Sequence, residues 1–397
     1  MKFSKRIQSI RPSMTLAVDA KAKELRANGI DIISFGAGEP DFDTPEKIKQ
    51  AGIKAIEQNA THYTPVGGID ALKEAITSKF RRDNNLSYEK SQILVSCGAK
   101  HSLFNLAQIL WEEGDEIIVP APYWVSYPDI IQYAGAKPVI INTQSENKFK
   151  VTPDQIQLVL TPRTRAIIIN SPSNPTGSAY NKKELEALAE CALRNKLLVV
   201  SDEIYEKIVF DGFEQHSICA LDKEVQDNSV LVNGVSKSYA MTGWRIGYMA
   251  ANKKIIKQVS KLQGQSTSNP TSISQAASIV ALNEAEADVQ WMIDQFQNRR
   301  NNLLKNLLSI PSVKCYKPTG SFYIFPDFSA FYGRSFKGRK IEGSVQLAQF
   351  LLEEGNVGMV PGIAFGADNN LRMAFASSMD TIEQGVERIK RTLQLLE

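Results

Sequence analysis

A chain of 397 residues with 43% hydrophobic content is long enough to bury a large core and to form two or three domains. Its 46 Lys and Arg against 43 Asp and Glu leave a formal charge of +3, spread without a basic block, which argues against nucleic acid or an anionic membrane as a partner. No apolar run approaches the roughly 18 residues of a membrane span, and Met1 to Arg11 lacks the apolar centre of a signal peptide, so a cytoplasmic protein is expected.

Cys97, Cys191, Cys219 and Cys315 show no C-x-x-C pairing and no histidine partner at metal-ligand spacing, and they read as reduced thiols. The histidines His62, His101 and His216 are too scattered for a zinc site or a triad, so no metal is expected. From the N-terminus, Leu16, Ala20, Leu25 and Ala27 fall among charges at helical spacing, and Ile30 to Phe35 reads as a short strand. Gly36, Gly38 and Pro40 then form an extended loop. Thr44-Pro45-Glu46 reads as a helix start, with Thr44 as N-cap and Pro45 at the first helical position. A polar glycine loop holding Tyr63 feeds a further helix, and a strand is expected over Gln92 to Ser96.

Gly98-Ala99-Lys100 opens an amphipathic helix through Leu103, Phe104, Ala107 and Leu110. A strand, a glycine and a helix N-terminus together offer free amides and the positive end of a helix dipole to a dianion, although most such turns bind nothing. Strands and helices then alternate through Glu116 to Pro120, Val125 to Tyr133, Pro138 to Asn142, Ala166 to Asn170, Glu184 to Asn195 and Leu197 to Asp202. The alternation implies a mostly parallel sheet flanked by helices, with ligands at the carboxyl ends of its strands. Asp202 follows an apolar run, so its carboxylate is expected to be buried and to need a partner. A pyridinium N–H would serve, with the Tyr205 hydroxyl three residues on available to the same ring.

Lys237 follows Ser236 at the end of the apolar run Val230 to Val232, and Arg245 stands between Gly243 and Gly247. A lysine amine can form a Schiff base with an aldehyde, and a guanidinium fork matches phosphate oxygens. Pyridoxal 5'-phosphate carries both groups. The remainder, from about Ser272 to Ser309, is mainly helical, and the C-terminal part (SFYIFPDF, a helix from Ser344 to Glu354, VGMVPG, LRMAFA and a last helix to Leu396) reads as α+β. Within LRMAFA, Arg372 reads from the residues alone as the polar face of an edge strand.

The run S-K-x-x-x-x-x-G-x-R-x-G from Ser236 to Gly247 resembles that of the class I pyridoxal phosphate-dependent aminotransferases of fold type I, from about Pro12 to near the C-terminus, and most of all their bacterial aspartate aminotransferase branch. The resemblance implies an α/β architecture: a large cofactor-binding domain over 46–304 and a smaller α+β domain formed by 1–45 with 305–397. It implies a ping-pong transaminase taking small amino acids and 2-oxo acids, with aspartate or glutamate as donor, in a homodimer with shared active sites. Lys237, Asp202 and Tyr205 take the catalytic places. Gly98, Ala99, Ser236, Arg245 and a neighbour's Tyr63 hold the cofactor with Trp124 and Asn174, where Trp124 otherwise reads as a core ring and Asn174 as a plain turn residue. Arg372 clamps the substrate α-carboxylate beside Asn174, Trp124 and the Gly38 backbone.

In another branch of these enzymes a partner's arginine binds the distal carboxylate, but Gln265 to Thr271 contains none, and Lys100 takes that place in the aspartate aminotransferases this branch resembles. Some relatives accept prephenate and often carry lysine where this chain has Arg11. Two further readings are a lyase or synthase on the same scaffold, separable by keto-acid dependence, and a transcriptional regulator, which needs a basic helix-turn-helix extension where none precedes Pro12.

Overall fold

The computed structural model describes residues 1–10 and 14–397, with the side chains at 15–17 and 19 left aside. Arg11, Pro12 and the Leu16 side chain therefore lie outside the described residues. A two-residue strand β1 (Ile33–Ser34) precedes the strands of the main sheet: β2 (Ile93–Ser96), β3 (Glu116–Ala121), β4 (Lys137–Asn142), β5 (Thr164–Asn170), β6 (Leu198–Asp202), β7 (Ser229–Gly234) and β8 (Gly247–Ala250). These form a seven-stranded sheet in the order β2-β8-β7-β6-β5-β3-β4. Strands β3 to β7 pair in parallel, while β8 runs antiparallel to both β7 and β2.

The antiparallel β8 departs from simple strand–helix alternation. A parallel return needs a crossover of a dozen or more residues, usually helical. The connection 235–246 is spent on turns around Lys237 and a 3-10 turn at Thr242–Trp244, so the chain comes straight back and aligns Gly247 with Gly234. Strand β7 is buried along its whole length, as a strand covered on both faces must be, which is why it reads as a continuous apolar run.

Helices cover this sheet by burying one apolar face each. Asp70–Asn84 buries Leu72, Ile76 and Phe80, each contributing about 1.5–3 kcal/mol. It ends where Asn85 turns left-handed at φ 54° and its N–H bonds the Phe80 carbonyl. Lys182–Arg194 opens with a capping box, Asn181 accepting from the Glu184 amide at 3.0 Å and Glu184 from the Asn181 amide at 2.8 Å. The helix at Glu46–Glu57 is capped by Pro45, not Thr44. The Thr44 hydroxyl instead donates to the Ala240 carbonyl at 2.6 Å and accepts from the Trp244 indole at 3.0 Å, tying its loop to the segment after Lys237.

Both chain ends build the remaining sheets. They comprise β9 (Tyr323–Ile324), the hairpin β10 (Ser335–Phe336) with β11 (Arg339–Lys340), β12 (Val357–Gly358), β13 (Val360–Pro361) and β14 (Leu371–Ala374). Strand β1 pairs in parallel with β12, and β14 lies between β13 and β9 in an antiparallel sheet. Arg372 is thus on a central, wholly buried strand, not on the polar face of an edge. One apolar core runs from Ile33 and Phe35 through Leu231 and Tyr248 to Phe322, Met373 and Leu396, continuous beneath both sheets. Among the described residues no helix is long and apolar enough to cross a membrane.

Candidate active site

The carboxyl ends of β2, β3, β5, β6 and β7 share one edge of the main sheet, and a cavity of about 390 Å³ opens there. That size suits a small ligand. Of the residues singled out in the sequence, Gly38, Ala99, Lys100, Trp124, Asn174, Asp202, Tyr205, Ser236, Lys237, Arg245 and Arg372 line it. Gly98 borders it as the N-cap of the helix Ala99–Leu110. Tyr63 does not line it: its ring is 93% exposed on the outer loop.

Lys237 sits in the turn after β7, and its Nζ donates to the Gly38 carbonyl at 2.5 Å. Its side chain borders the cavity and is half-buried, and the protein atoms packed around it replace part of its hydration. That desolvation lowers its pKa to about 8, with Glu39 acting in the opposite direction and Arg372, Arg245 and Lys100 adding to the fall. Asp202 ends β6 and is 4% exposed, accepting from the Tyr127 hydroxyl at 2.6 Å and the Ile204 amide at 3.2 Å. Burial raises its pKa to about 6 against the pull of Tyr127, the Ile204 amide and Lys237. No cation pairs with it among the described residues.

Arg372 reaches in from β14. Its Nη2 donates to the Gly36 carbonyl at 2.7 Å and its Nη1 to Asn174 Oδ1 at 3.1 Å, while its buried Nε finds no acceptor among the described residues. The guanidinium lies 4.5 Å from the Tyr323 ring centroid and 5.1 Å from that of Phe365. A buried guanidinium without a carboxylate is costly to leave so, and a ligand carboxylate suits it. Tyr205 donates to the Tyr323 hydroxyl at 3.3 Å, and burial raises its phenol pKa. Lys100 stands 4.9 Å from the Trp124 ring centroid, its pKa lowered by burial and then by Arg245.

The fit to pyridoxal phosphate can be tested on the anion cradle. The Ala99 and Lys100 amides open a twelve-residue helix with no acidic residue in its first turn and no side-chain cap. Arg245 is exposed beside them, its guanidinium held by the Thr242 carbonyl at 2.9 Å and the Cys97 carbonyl at 3.2 Å. A Cβ on Gly247 would stand 2.1 Å from the Ala99 nitrogen, and one on Gly98 would stand 2.3 Å from Arg245 Nη2. Only glycine lets amides and guanidinium close together there, and Gly98 also takes φ 91°. The donor set matches a dianion, a ring N–H at Asp202 and an aldehyde at Lys237.

Several lining residues were not singled out in the sequence as site residues: Gly36, Glu39, Leu103, Tyr127, Asn170, Ile204, Thr242 and Tyr323. Tyr127 lies three residues after Trp124 at a helix start, and that spacing was its one available signal. Asn170 ends β5 directly beside Asp202 in register.

Comparison with known proteins bears on this geometry. The sequence profile described as "Aminotransferase class I and II" matches residues 30–389. The chain is 49% identical to the aspartate aminotransferase of Geobacillus stearothermophilus over 99% of both chains. It is 46% identical to the probable aspartate/prephenate aminotransferase of Rickettsia bellii over 98% of both. Among solved structures, the aspartate aminotransferase of Rhizobium meliloti superposes with a TM-score of 0.97 at 40% identity, covering 100% of each chain.

Proposed function

Because the chain belongs to the aminotransferase class I and II family, whose members generally use pyridoxal phosphate, and to its aspartate aminotransferase branch, we propose that it moves an amino group between aspartate or glutamate and a 2-oxo acid at this cavity. The observation that carries the reading is convergence. A desolvated lysine amine, a buried carboxylate without a cation and a buried guanidinium without a carboxylate face one space beside an anion cradle.

Pyridoxal 5'-phosphate, when bound, supplies an aldehyde for the amine and a ring that draws electron density from the substrate Cα. Gly98, the Ala99 and Lys100 amides, Ser236 and Arg245 hold its phosphate, joined by the exposed Tyr63 of a second copy. Asp202 keeps a proton on the ring nitrogen, and Tyr127 fixes the orientation of that carboxylate. Tyr205 and Asn174 hold the ring oxygen, and Trp124 covers the ring face. Lys237 takes the proton from the substrate Cα and gives it up one carbon away. With a pKa near 8, roughly a tenth of its amine is unprotonated at pH 7, against about one part in three thousand for an ordinary lysine.

Arg372 grips the α-carboxylate, oriented by Asn174 and the Gly36 carbonyl, while the Gly38 backbone bounds the substrate and Lys100 meets the distal carboxylate. We assign 46–304 to a cofactor-holding unit and 1–45 with 305–397 to a smaller one. The cavity draws Gly36, Gly38 and Glu39 with Tyr323 and Arg372 from the second and its remaining lining from the first, which supports a site completed between them.

The test is a panel of half-reactions on purified protein, followed by cofactor absorbance, with aspartate, glutamate, phenylalanine, arogenate and alanine. Rapid conversion by aspartate and glutamate is expected; a protein inert to both, or one releasing products without any 2-oxo acid dependence, contradicts the reading. Use of prephenate is a second reading, favoured by the Rickettsia bellii relative, and the arogenate arm decides it.

A further inference from the structure

The cavity is faced by four cationic side chains, Lys100, Lys237, Arg245 and Arg372, and by two carboxylates, Asp202 and Glu39. Asp202 is committed to Tyr127 and the Ile204 amide. Glu39 is the other kind of group, exposed at the mouth and making no ion pair among the described residues. Its Oε2 accepts from the Thr242 hydroxyl at 2.7 Å. Directly before it in the chain, the Gly38 carbonyl accepts from Lys237 Nζ. Thr44 completes the lacing by bonding Ala240 and Trp244, so the segment 38–44 is pinned along 237–244.

Every element packed about the Lys237 amine presents a charged or titratable group: Glu39 on this segment, Asp202 and Tyr205 at the end of β6, Lys100 at the helix start, Arg245 before β8, and Tyr323 and Arg372 on the small sheet. Burial and the three neighbouring cations all favour the neutral amine. A group that must take up a proton and release it again works best when its pKa is close to the ambient pH. Glu39 supplies a negative charge at this end of the cavity, and the Thr242 bond gives that charge a fixed place.

We propose that Glu39 is a positioning residue for Lys237: its bond to Thr242 sets the Gly38 carbonyl against the amine, and its charge offsets the surrounding cations so that the amine both holds and releases a proton near neutral pH. This rests on reading Lys237 as the reactive amine.

The experiment is trace acylation of the full chain, freed of bound cofactor, across pH 6 to 10, with labelling at Lys237 read by peptide mass spectrometry. Glu39→Gln keeps an oxygen for the Thr242 hydroxyl and removes the charge. Its Lys237 midpoint is expected about one pH unit below the parent's. Glu39→Asp, which keeps the charge, is expected to stay nearer the parent than Glu39→Gln does. An unmoved midpoint in Glu39→Gln, or an equal fall in both variants, overturns the proposal. Circular dichroism confirms that each variant is folded, as expected for an exposed side chain. The aspartate half-reaction of the parent is scored separately: its absence defeats the aminotransferase reading whatever the midpoints, whereas its presence with an unmoved midpoint defeats only the role of Glu39.

Discussion

At the scale of single residues, we propose that Lys100 decides which substrates fit. A lysine in the first turn of a helix opposes the helix dipole by about 0.3–1 kcal/mol, so its place there calls for an anion. Its ammonium lies over the Trp124 ring and faces the cavity, and no salt bridge engages it among the described residues. Lys100→Ala is expected to lower kcat/KM for aspartate by about 1.5–3 kcal/mol while phenylalanine is little changed. Equal losses for both would mean that Lys100 serves the phosphate or the fold instead. The cavity-lining residues were readable in sequence where chain position alone predicts burial, as for Asp202 after an apolar run and Lys237 after β7. Glu39 and Tyr127 were not. Their significance comes from partners 203 and 75 residues away, Thr242 and Asp202, and no local pattern encodes such a meeting.

At the scale of elements, β6 and the turn after it concentrate buried charge. Glu203 is 1% exposed, accepting from Ser201 at 2.8 Å and Ser217 at 2.6 Å, while its second oxygen has no partner among the described residues. Burial, with Glu206 second, raises its pKa to about 8, so the carboxyl is mostly neutral at pH 7. Three residues further on, Glu206 is bonded by the buried Lys79 and by Asn84, fixing the turn that carries Tyr205 to the helix Asp70–Asn84. Since the folded pKa of Glu203 lies above the unfolded value near 4.5, its stabilising contribution is complete below that value and is lost as pH rises through 8. Melting temperatures of the parent are therefore expected to fall more between pH 5 and 9 than those of Glu203→Gln; parallel curves would show that the carboxyl is already ionised. Strands β2, β3 and β5 to β7 were legible because burial on both faces leaves apolar runs, while β4, a largely exposed edge strand, was legible from its short run Val139–Ile141. The direction of β8 was not, since it depends on how many residues the intervening turns consume. Thr44 misled because its N-cap chemistry is spent on Ala240 and Trp244.

At the scale of the whole molecule, the cavity draws on both chain ends and on the main sheet, and we propose that a second copy adds one more contact. Tyr63 is 93% exposed, which leaves its ring available to a second copy. A homodimer is expected in sedimentation at assay concentrations, and Tyr63→Phe is expected to weaken cofactor retention without changing the assembly; an active monomer would contradict this arrangement. The two-unit reading of the chain came from resemblance, and no change in composition marks a boundary because the apolar core passes continuously beneath both sheets.

The central claim is that Lys237 is the amine to which the cofactor attaches in this cavity. It is tested most directly by borohydride reduction of the purified protein with pyridoxal phosphate, followed by digestion and mass spectrometry. The expected result is a pyridoxyl group on the peptide containing Lys237 and on no other lysine, lost in Lys237→Ala. A label on Lys100 or another lysine of the parent, or no stable label at all, would contradict the account.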